Sequence, residues 1–426
     1  MNGMTQTSRA QRQAEVLQRI LPLLAPDAIR MEPAILVPAG MVLDLAGEAV
    51  HSRLMFVQAA HAQISFVQPS ANSSGHDART HDEGFCLRPD LTIPVALAEI
   101  AQLLNETIDN AAVNMKRQPC AIYYAGPAFR LKPSDQTPDE FIQCGQEVFF
   151  GAGDLAEDQA VLSLALRSAK AAGVEAVHLH ISDQALTRCF IEQMDLSPDW
   201  RERFLRRLGR PKALLDLISA ARRVLAQADL QAEQSTALAV TDPRSQSFQS
   251  LARAGAGDPP AKAPIFADRI LAGRRWDEIQ TRLARAQSLP PSAESLDRLA
   301  QLFRVVGSPE TALNEIHRLA DGLAISIGAP LNRLRNLVRY VRNLPSGIAD
   351  RVQDITFHAQ IGGNFDYYDG FLFRLDRADP ADPTRSISIG GGGRYDHLLG
   401  RLSQGRIEGR AIGFSLRTDR LGKDTR

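Results

Sequence analysis

Hydrophobic positions near the start of the chain follow a helical period. Val16, Ile20 and Leu24 recur every four residues, which predicts an amphipathic helix. Pro22 lies inside this stretch and weakens the prediction, because a proline cannot donate a helical hydrogen bond. Between residues 29 and 49 prolines interrupt short apolar stretches, so we expect an extended segment there and not a helix.

Strand-like patterns dominate the next part of the chain. Residues 121–130 and 141–150 are rich in β-formers, and a polar turn containing prolines separates them, which predicts an antiparallel hairpin with a long loop. Asp154 is placed to cap a following helix, and Gly173 is placed to end it. The alternating pattern that begins at Val177 predicts a half-buried strand.

The pattern changes at about residue 198. From there to residue 344 helical periods dominate, and Arg and Leu are abundant. Strand-like composition then returns in residues 354–359, 367–375 and 386–389. We therefore predict an α+β fold in which one sheet, built from residues 1–197 and 345–426, is interrupted by a helical insertion at 198–344.

Composition narrows the classes of function. The 426 residues carry 49 basic and 49 acidic side chains, which weighs against a broad nucleic-acid-binding surface. The chain has no apolar run of the roughly 20 residues that span a bilayer, and its polar start lacks a signal-peptide pattern, so we expect a cytoplasmic protein. The four cysteines are too scattered for a zinc or redox pair, and we expect neither a metal nor a cofactor.

Polar side chains at predicted strand ends form a candidate site for a small zwitterion with a polar ring. Beside Arg88 and Asp366, they comprise seven residues: Asp90, Thr92, Arg130, Gln143, Glu147, Tyr367 and Tyr368. Gln143 and Glu147 are four residues apart on one strand, which puts both on the same face. Asp90 is suited to bind an ammonium group, Arg130 or Gln143 a carboxylate, and Glu147 a ring N–H.

Taken singly, most of these residues have simpler explanations. Arg88 and Asp90 suit a local ion pair, and the two tyrosines suit ordinary strand positions. The four glycines at 390–393 match no phosphate-binding spacing and are typical of a strand. His178 and His180 share a strand face without a supporting cysteine or carboxylate cluster, so a metal site is not expected there.

Taken together and in order, six segments resemble histidyl-tRNA synthetase, a class II aminoacyl-tRNA synthetase. The segments are 87–92 (LRPDLT), 123–130 (YYAGPAFR), 140–149 (EFIQCGQEVF), 365–370 (FDYYDG), 392–396 (GGRYD) and 411–414 (AIGF). The resemblance implies an antiparallel sheet flanked by helices and interrupted by the insertion. It also implies a homodimer through the first class II motif, whose proline would be Pro38, and assigns the seven candidate residues to binding free histidine.

The same resemblance implies that catalysis is lost. Gly363 stands where the synthetases carry a catalytic arginine, Asp139 replaces a second arginine in the ATP-binding loop, and Arg417 replaces a glycine that makes room for the nucleotide. Since losing one cation from a phosphate transition state can cost about 10³-fold, we expect no adenylation and no catalytic residues. The chain runs only five residues past Leu421, so we expect no anticodon-binding domain and no tRNA partner.

A chain with histidine-binding residues but no ATP chemistry resembles the regulatory-subunit family of ATP phosphoribosyltransferase. That resemblance implies a hetero-octamer with short-form catalytic subunits, which perform the first step of histidine biosynthesis, and feedback inhibition by bound histidine. Two alternatives stay open at this point. One is a divergent enzyme similar to histidyl-tRNA synthetase, and the other is a histidine-sensing module with a different partner.

Overall fold

A nine-stranded sheet is the centre of the fold. The structure is a computed structural model, and it describes residues 2–57, 84–109, 117–131, 139–241, 270–271, 274–275, 290–362, 365–380 and 382–422. The strand order in the large sheet is β1-β5-β6-β14-β13-β12-β7-β11-β10, and β2, β4 and β3 form a smaller sheet. The large sheet is antiparallel except for the pairs β1–β5 and β7–β11.

The bounds of the elements follow the chain. The strands are β1 (Ile29–Arg30), β2 (Leu36–Pro38), β3 (Phe56–Val57), β4 (Phe85–Leu87), β5 (Cys120–Phe129), β6 (Glu140–Phe149), β7 (Val177–Asp183), β8 (Ile270–Leu271), β9 (Arg274–Arg275), β10 (Val306–Gly307), β11 (Val352–His358), β12 (Phe371–Asp379), β13 (Asp382–Arg394) and β14 (Ala411–Arg417). The helices are α1 (Asn2–Leu24), α2 (Ala39–Leu45), α3 (Glu48–His51), α4 (Thr92–Asp109), α5 (Leu155–Ala171), α6 (Gln184–Gln193), α7 (Pro198–Leu205), α8 (Pro211–Thr241), α9 (Ala293–Arg304), α10 (Pro309–Asp321), α11 (Gly328–Arg342), α12 (Ser346–Ala349) and α13 (Leu398–Leu402).

Several elements form where local patterns predicted them. Helix α1 is continuous through Pro22, and β5 and β6 form the predicted antiparallel hairpin. The carboxylate of Asp154 accepts a hydrogen bond from the backbone N–H of Glu157, so it caps α5 as predicted. The hairpin loop at 132–138 lies outside the described residues.

The extended segment predicted for residues 29–49 is wrong in its second half. Strands β1 and β2 are short, and residues 39–45 form helix α2 directly after Pro38. Val42 and Leu45 are buried in a hydrophobic cluster beneath this helix. A proline is tolerated immediately before a helix, so Pro38 ends the strand without preventing the helix that burial favours.

The two faces of the sheet meet different hydrophobic clusters. On one face α1 and α5 pack against residues such as Leu179 and Phe414. On the other face α2, α4 and α13 pack around Tyr124, Tyr367 and Tyr395. The helices between residues 198 and 344 contribute to the first cluster, and β10 adds an edge strand to the large sheet. The boundaries at 197 and 344 stay predictions.

A buried group of three charges ties the predicted insertion to the sheet. Asp158 of α5 is 0% exposed. Its Oδ1 accepts hydrogen bonds from Nε and Nη2 of Arg394, at the end of β13, at 3.1 and 2.8 Å. Its Oδ2 accepts one from Nε of Arg333, on α11, at 2.7 Å. One carboxylate thus joins a helix of the first part of the chain, a helix of the insertion and a strand of the last part.

We expect Asp158→Ala to destabilise the protein by about 3 kcal/mol, the lower end for a broken buried ion pair. The substitution removes a fully buried carboxylate from the half-buried Arg333 and the buried Arg394, and Arg394 keeps its weaker ion pairs with Glu157 and Asp396. Urea denaturation measures the free energy of unfolding. The matched control is Glu202→Ala, which removes an exposed helix-surface ion pair with Arg206 and should cost less than about 1 kcal/mol. Equal, small losses in the two variants would contradict the structural role of Asp158.

Candidate functional site

The seven predicted residues lie on and around one face of the sheet where β6 and β14 meet the start of α4. Cross-strand pairing puts Glu147 opposite Gly413, and Gln143 opposite Arg417. Hydrogen bonds or ring contacts link the members of the set to one another or to the backbone of residues 89–93. Six of the seven side chains are buried, and Tyr368 is half-buried. Their assignment to histidine stays a prediction.

Glu147 is a buried carboxylate that accepts hydrogen bonds from three hydroxyl groups. Thr92 Oγ1 and the Tyr124 hydroxyl each donate to Oε1 at 2.7 Å, and the Tyr395 hydroxyl donates to Oε2. Burial raises the pKa of Glu147 to about 7, although the three hydrogen bonds oppose this shift. The carboxyl group can therefore change its protonation state near neutral pH.

Asp90 is the second buried acid of the site. Its Oδ2 accepts a hydrogen bond from the Tyr367 hydroxyl at 3.2 Å, and its Oδ1 accepts one from the Ile93 backbone N–H at 3.4 Å. Burial raises the pKa of Asp90 to about 6, and the charge of Arg130 opposes this increase. An ammonium group next to Asp90 would favour its ionised form.

Arg130 supplies a buried positive charge. Its Nε donates to the Pro89 carbonyl at 2.8 Å, and its Cζ lies 5.3 Å from the ring centroid of Phe141 and 5.5 Å from that of Phe365. Burial, with a smaller contribution from Arg417, lowers the pKa of Arg130 to about 10. The group therefore stays cationic at neutral pH and can bind a carboxylate.

Sequence reasoning missed three hydroxyl groups of the site. The first is that of Ser415, which accepts a hydrogen bond from the Gln143 amide at 2.6 Å. The amide oxygen of Gln143 accepts one from the Leu91 backbone N–H at 3.2 Å. Tyr124 and Tyr395 are the other two, through their bonds to Glu147. The two tyrosines lie inside the segments that carry the family resemblance, and an aromatic hydroxyl there was the available signal. Ser415 gave no comparable signal.

The aromatic side chains of the site form one contiguous group. The ring of Tyr367 lies 4.7 Å from that of Tyr368, 5.4 Å from that of Phe365 and 5.5 Å from that of Tyr395. Neither Tyr367 nor Tyr368 belongs to a strand, because β12 begins only at Phe371. The simpler explanation of the two tyrosines as ordinary strand residues is therefore wrong.

Two other simple interpretations can be compared with the structure. Arg88 directs its guanidinium to the backbone carbonyls of Pro33 and Pro127, and no direct hydrogen bond to Asp90 is found among its contacts in the described chain. The glycines at 390–393 lie within β13, paired with β12 on one side and β14 on the other, as the strand interpretation predicted.

Of the three residues expected to weaken catalysis, the structure describes Arg417 and Asp139. Arg417 ends β14, with its Cζ 3.7 Å from the Phe141 ring centroid, and Nη2 bonds Asp419 Oδ2 at 2.7 Å. The backbone carbonyl of Asp139 accepts a hydrogen bond from the Arg130 N–H at 2.8 Å. Gly363 lies outside the described residues.

His178 and His180 each lie close to one carboxylate. His178 Nδ1 lies 3.0 Å from Asp354 Oδ1, and His180 Nε2 lies 3.3 Å from Asp376 Oδ2. His180 Nδ1 is also 3.0 Å from Nε2 of His358, whose pKa burial lowers to about 4. Among the residues that the structure describes, no group of three or more His, Cys, Asp or Glu side chains is arranged to hold a metal ion.

A search of the described helices for a membrane span found none that combines the necessary length with the necessary apolar character.

Comparison with known proteins identifies the family. A sequence model described as histidyl-tRNA synthetase matches residues 77–261 and 248–421, which together make up most of the chain. The chain therefore belongs to the histidyl-tRNA synthetase family, and the predicted family is confirmed. Among curated relatives, proteins of Brucella canis and Brucella ovis are each 28% identical over 412 residues, with 94% of both chains covered. Both relatives are named ATP phosphoribosyltransferase regulatory subunit.

Solved structures of low sequence identity share the fold. A Bacillus halodurans protein described as an ATP phosphoribosyltransferase regulatory subunit/histidyl-tRNA synthetase has a TM-score of 0.56 at 16% identity, covering 96% of this chain and 78% of its own. Histidyl-tRNA synthetase from Nostoc has a TM-score of 0.52 at 15% identity, covering 97% and 71%. The predicted α+β, class II synthetase-like fold is thus confirmed.

The raised pKa of Glu147 leads to a prediction about stability and pH. The folded protein binds the proton of Glu147 more tightly than the unfolded chain, in which the pKa is near the ordinary value of 4.5. The stability that Glu147 contributes is therefore full below about pH 4.5 and is lost as the pH rises through about 7. Glu147→Gln removes this titration, so the variant should gain about 1–3 kcal/mol relative to the wild type between pH 4.5 and pH 8.

Chemical denaturation of both proteins across this pH range measures the difference. Asp90 titrates in both proteins, and because its charge also raises the pKa of Glu147, the measured difference is that of the coupled pair. Parallel stability curves for the variant and the wild type would contradict the proposed titration of Glu147.

Proposed function

We propose that this chain is a non-catalytic regulatory subunit of an ATP phosphoribosyltransferase and that it binds free histidine. The observation that carries the proposal is the pair of buried acids, Asp90 and Glu147, in a site that also contains buried Arg130 and Gln143. The names of the Brucella relatives support the regulatory role.

The polar groups of the site are complementary to histidine. Asp90 binds the ammonium group, Arg130 and Gln143 bind the carboxylate, and Glu147 accepts the ring N–H. Thr92 and Tyr367 orient the two acids through the hydrogen bonds they donate to them. Because burial disfavours the charged form of both acids, a cation and an N–H donor from the ligand compensate for the lost hydration of the carboxylates.

The side chains at the nucleotide end support binding without chemistry. Arg417 is neutralised by Asp419 and lies against the Phe141 ring, in a position that a glycine would leave open. Asp139 places a negative charge close to Arg53 at the base of the hairpin loop. Because Arg417 fills space that the resemblance assigns to the nucleotide and Asp139 adds a negative charge, we propose that adenylation is absent.

The proposed partner is the short-form catalytic subunit of ATP phosphoribosyltransferase, in a cytoplasmic hetero-octamer of four regulatory and four catalytic chains. Histidine that binds one state of the assembly better than the other then inhibits the first step of histidine biosynthesis. A coupling of about 1–3 kcal/mol between the two sites suffices for this feedback.

We also propose a homodimer through the small sheet that contains Pro38. Ile35, beside β2, is 46% exposed, and Phe56, on the edge strand β3, is 58% exposed. Exposed apolar side chains of this size at the two edges of the small sheet favour burial against a second copy.

The description of the matching family favours a second candidate, a divergent histidyl-tRNA synthetase-like enzyme. Histidine-dependent exchange of pyrophosphate into ATP distinguishes the two functions, and exchange above background would support the enzyme. A histidine-sensing module with another partner is the third candidate. Failure to co-purify with a short ATP phosphoribosyltransferase chain would favour it.

Calorimetric titration of the purified chain with histidine tests the binding. We expect saturable heat at millimolar ligand or below. Glu147→Ala should abolish binding while the fold is retained, since a charge-assisted hydrogen bond to the ring is lost. Tyr368→Ala, which removes a ring in contact with Tyr367, should also abolish binding while the fold is retained. Glu202→Ala should bind histidine as the wild type does, because Glu202 lies on an exposed helix face and far from the site in sequence.

Phosphoribosyltransferase activity of the catalytic partner tests the regulatory role. We expect the wild-type chain to make this activity inhibitable by histidine, and Glu147→Ala to make it insensitive because the ligand no longer binds. The Glu202→Ala protein serves as the control for assembly. Equal inhibition with the wild type and with Glu147→Ala would place the inhibitory histidine elsewhere and contradict the proposal.

A further inference from the structure

Arg417 lies at the opposite end of the candidate site from Glu147. It is the last residue of β14 and is paired across the sheet with Gln143, whereas Glu147 is paired with Gly413. Four residues along a strand correspond to about 13 Å, so the Glu147–Gly413 and Gln143–Arg417 pairs lie at the two ends of the candidate site. Hydroxyl groups and a carboxylate line the Glu147 end, and the other end is rich in guanidinium groups.

Two guanidinium groups share one aromatic ring at the Arg417 end. The Arg417 Cζ lies 3.7 Å from the Phe141 ring centroid, and the Arg130 Cζ lies 5.3 Å from the same centroid. The Arg417 side chain is only 12% exposed. Both groups are therefore held by packing as well as by charge, and Asp419 fixes Arg417 through hydrogen bonds of 3.2 Å from Nε and 2.7 Å from Nη2.

The positive charges in this region repel one another. Burial lowers the pKa of Arg130, and the charges of Arg417 and Arg53 lower it further. The same two charges contribute to the lowered pKa of Arg420, whose main cause is again burial. Asp139 opposes the decrease in the pKa of Arg53, and Asp419 opposes that of Arg420. An anion that approaches Arg130 and Arg417 together would relieve this repulsion, whereas a neutral group would not.

We propose that Arg417 determines ligand specificity by forming, together with Arg130, the subsite for the α-carboxylate of the bound amino acid. This inference rests on the proposed function, because it assigns one end of the same histidine site. Gln143 is paired across the sheet with Arg417 and donates to Ser415, so the subsite combines two guanidinium groups with an oriented amide. The site therefore selects imidazole ligands that carry a free carboxylate.

The experiment compares histidine with histamine, which keeps the ammonium group and the ring but lacks the carboxylate. Calorimetric titrations are made on the wild type, Arg417→Met, Arg417→Lys and Arg374→Met. The last variant is the matched control, because Arg374 lies on the same sheet face but is paired with Asp376 on β12.

We expect Arg417→Met to weaken histidine binding about 10-fold, or about 1.4 kcal/mol, and to leave histamine binding unchanged. Arg417→Lys should recover part of the loss, because it keeps the charge without the planar fork. Arg374→Met should change neither affinity. Thermal unfolding of each variant checks that the fold is retained, and the lysine variant carries the test if the methionine variant is unstable.

Several results would overturn the inference. If Arg417→Met weakens histidine and histamine by the same factor, Arg417 acts on the structure of the site and not on the carboxylate. Inorganic phosphate that binds through Arg417 without competing with histidine would show a separate anion site. If the wild-type chain binds histidine and histamine equally, the carboxylate subsite is contradicted but the proposed function is not. If the wild-type chain binds neither ligand, the proposed function itself is contradicted.

Discussion

The burial of the Glu147 carboxylate constrains much of the surrounding structure. The side chain is 1% exposed, and no arginine or lysine in the described part of the chain forms an ion pair with it. A buried acid without a counter-charge needs several hydrogen bonds, and hydroxyls from Thr92, Tyr124 and Tyr395 supply them. Gly413 is required opposite, because a Cβ there would lie 1.6 Å from Glu147 Oε2. One carboxylate thus fixes the relation between α4, β5, β6, the end of β13 and β14.

This constraint also makes the site responsive to a ligand. The hydrogen bonds from the three hydroxyls offset only part of the effect of burial, since the pKa of Glu147 is still raised to about 7. Burial also raises the pKa of Asp90, to about 6. Each acid is therefore close to the point where a nearby donor changes its charge. In the proposed complex, an ammonium group and a ring N–H favour the ionised form of both acids. The same two acids that lower the stability of the free protein at neutral pH become favourable contacts in the complex.

Local sequence predicted those features whose causes are local. The hairpin of β5 and β6 and the Asp154 cap of α5 follow from alternation and from a capping side chain near its own helix. Helix α2 was missed because its formation depends on burial of Val42 and Leu45 against distant elements, and two prolines nearby favoured an extended chain.

Long-range pairing explains what was missed in the site. The bond from Tyr395 to Glu147 joins residues 248 positions apart, and the bond from Gln143 to Ser415 joins residues 272 positions apart. These contacts exist only because β14 returns beside β6, which no local pattern specifies. The carboxylate partner of His180 is supplied in the same way by β12, far along the chain. The seven predicted residues were recognised by resemblance, whereas their hydroxyl partners required the register of the sheet.

The redistribution of positive charge links the proposed loss of catalysis to the proposed binding. Gly363 stands where the resembling synthetases carry an arginine, and Arg417 stands where they carry a glycine. A cation that acts on a reacting phosphate lowers a barrier only if it binds the transition state better than the ground state. Arg417 is held instead by Asp419 and the Phe141 ring, opposite Gln143, where its charge is available to a stable carboxylate. Such a site gains affinity for the free amino acid without lowering any reaction barrier, which is the property that a histidine sensor needs.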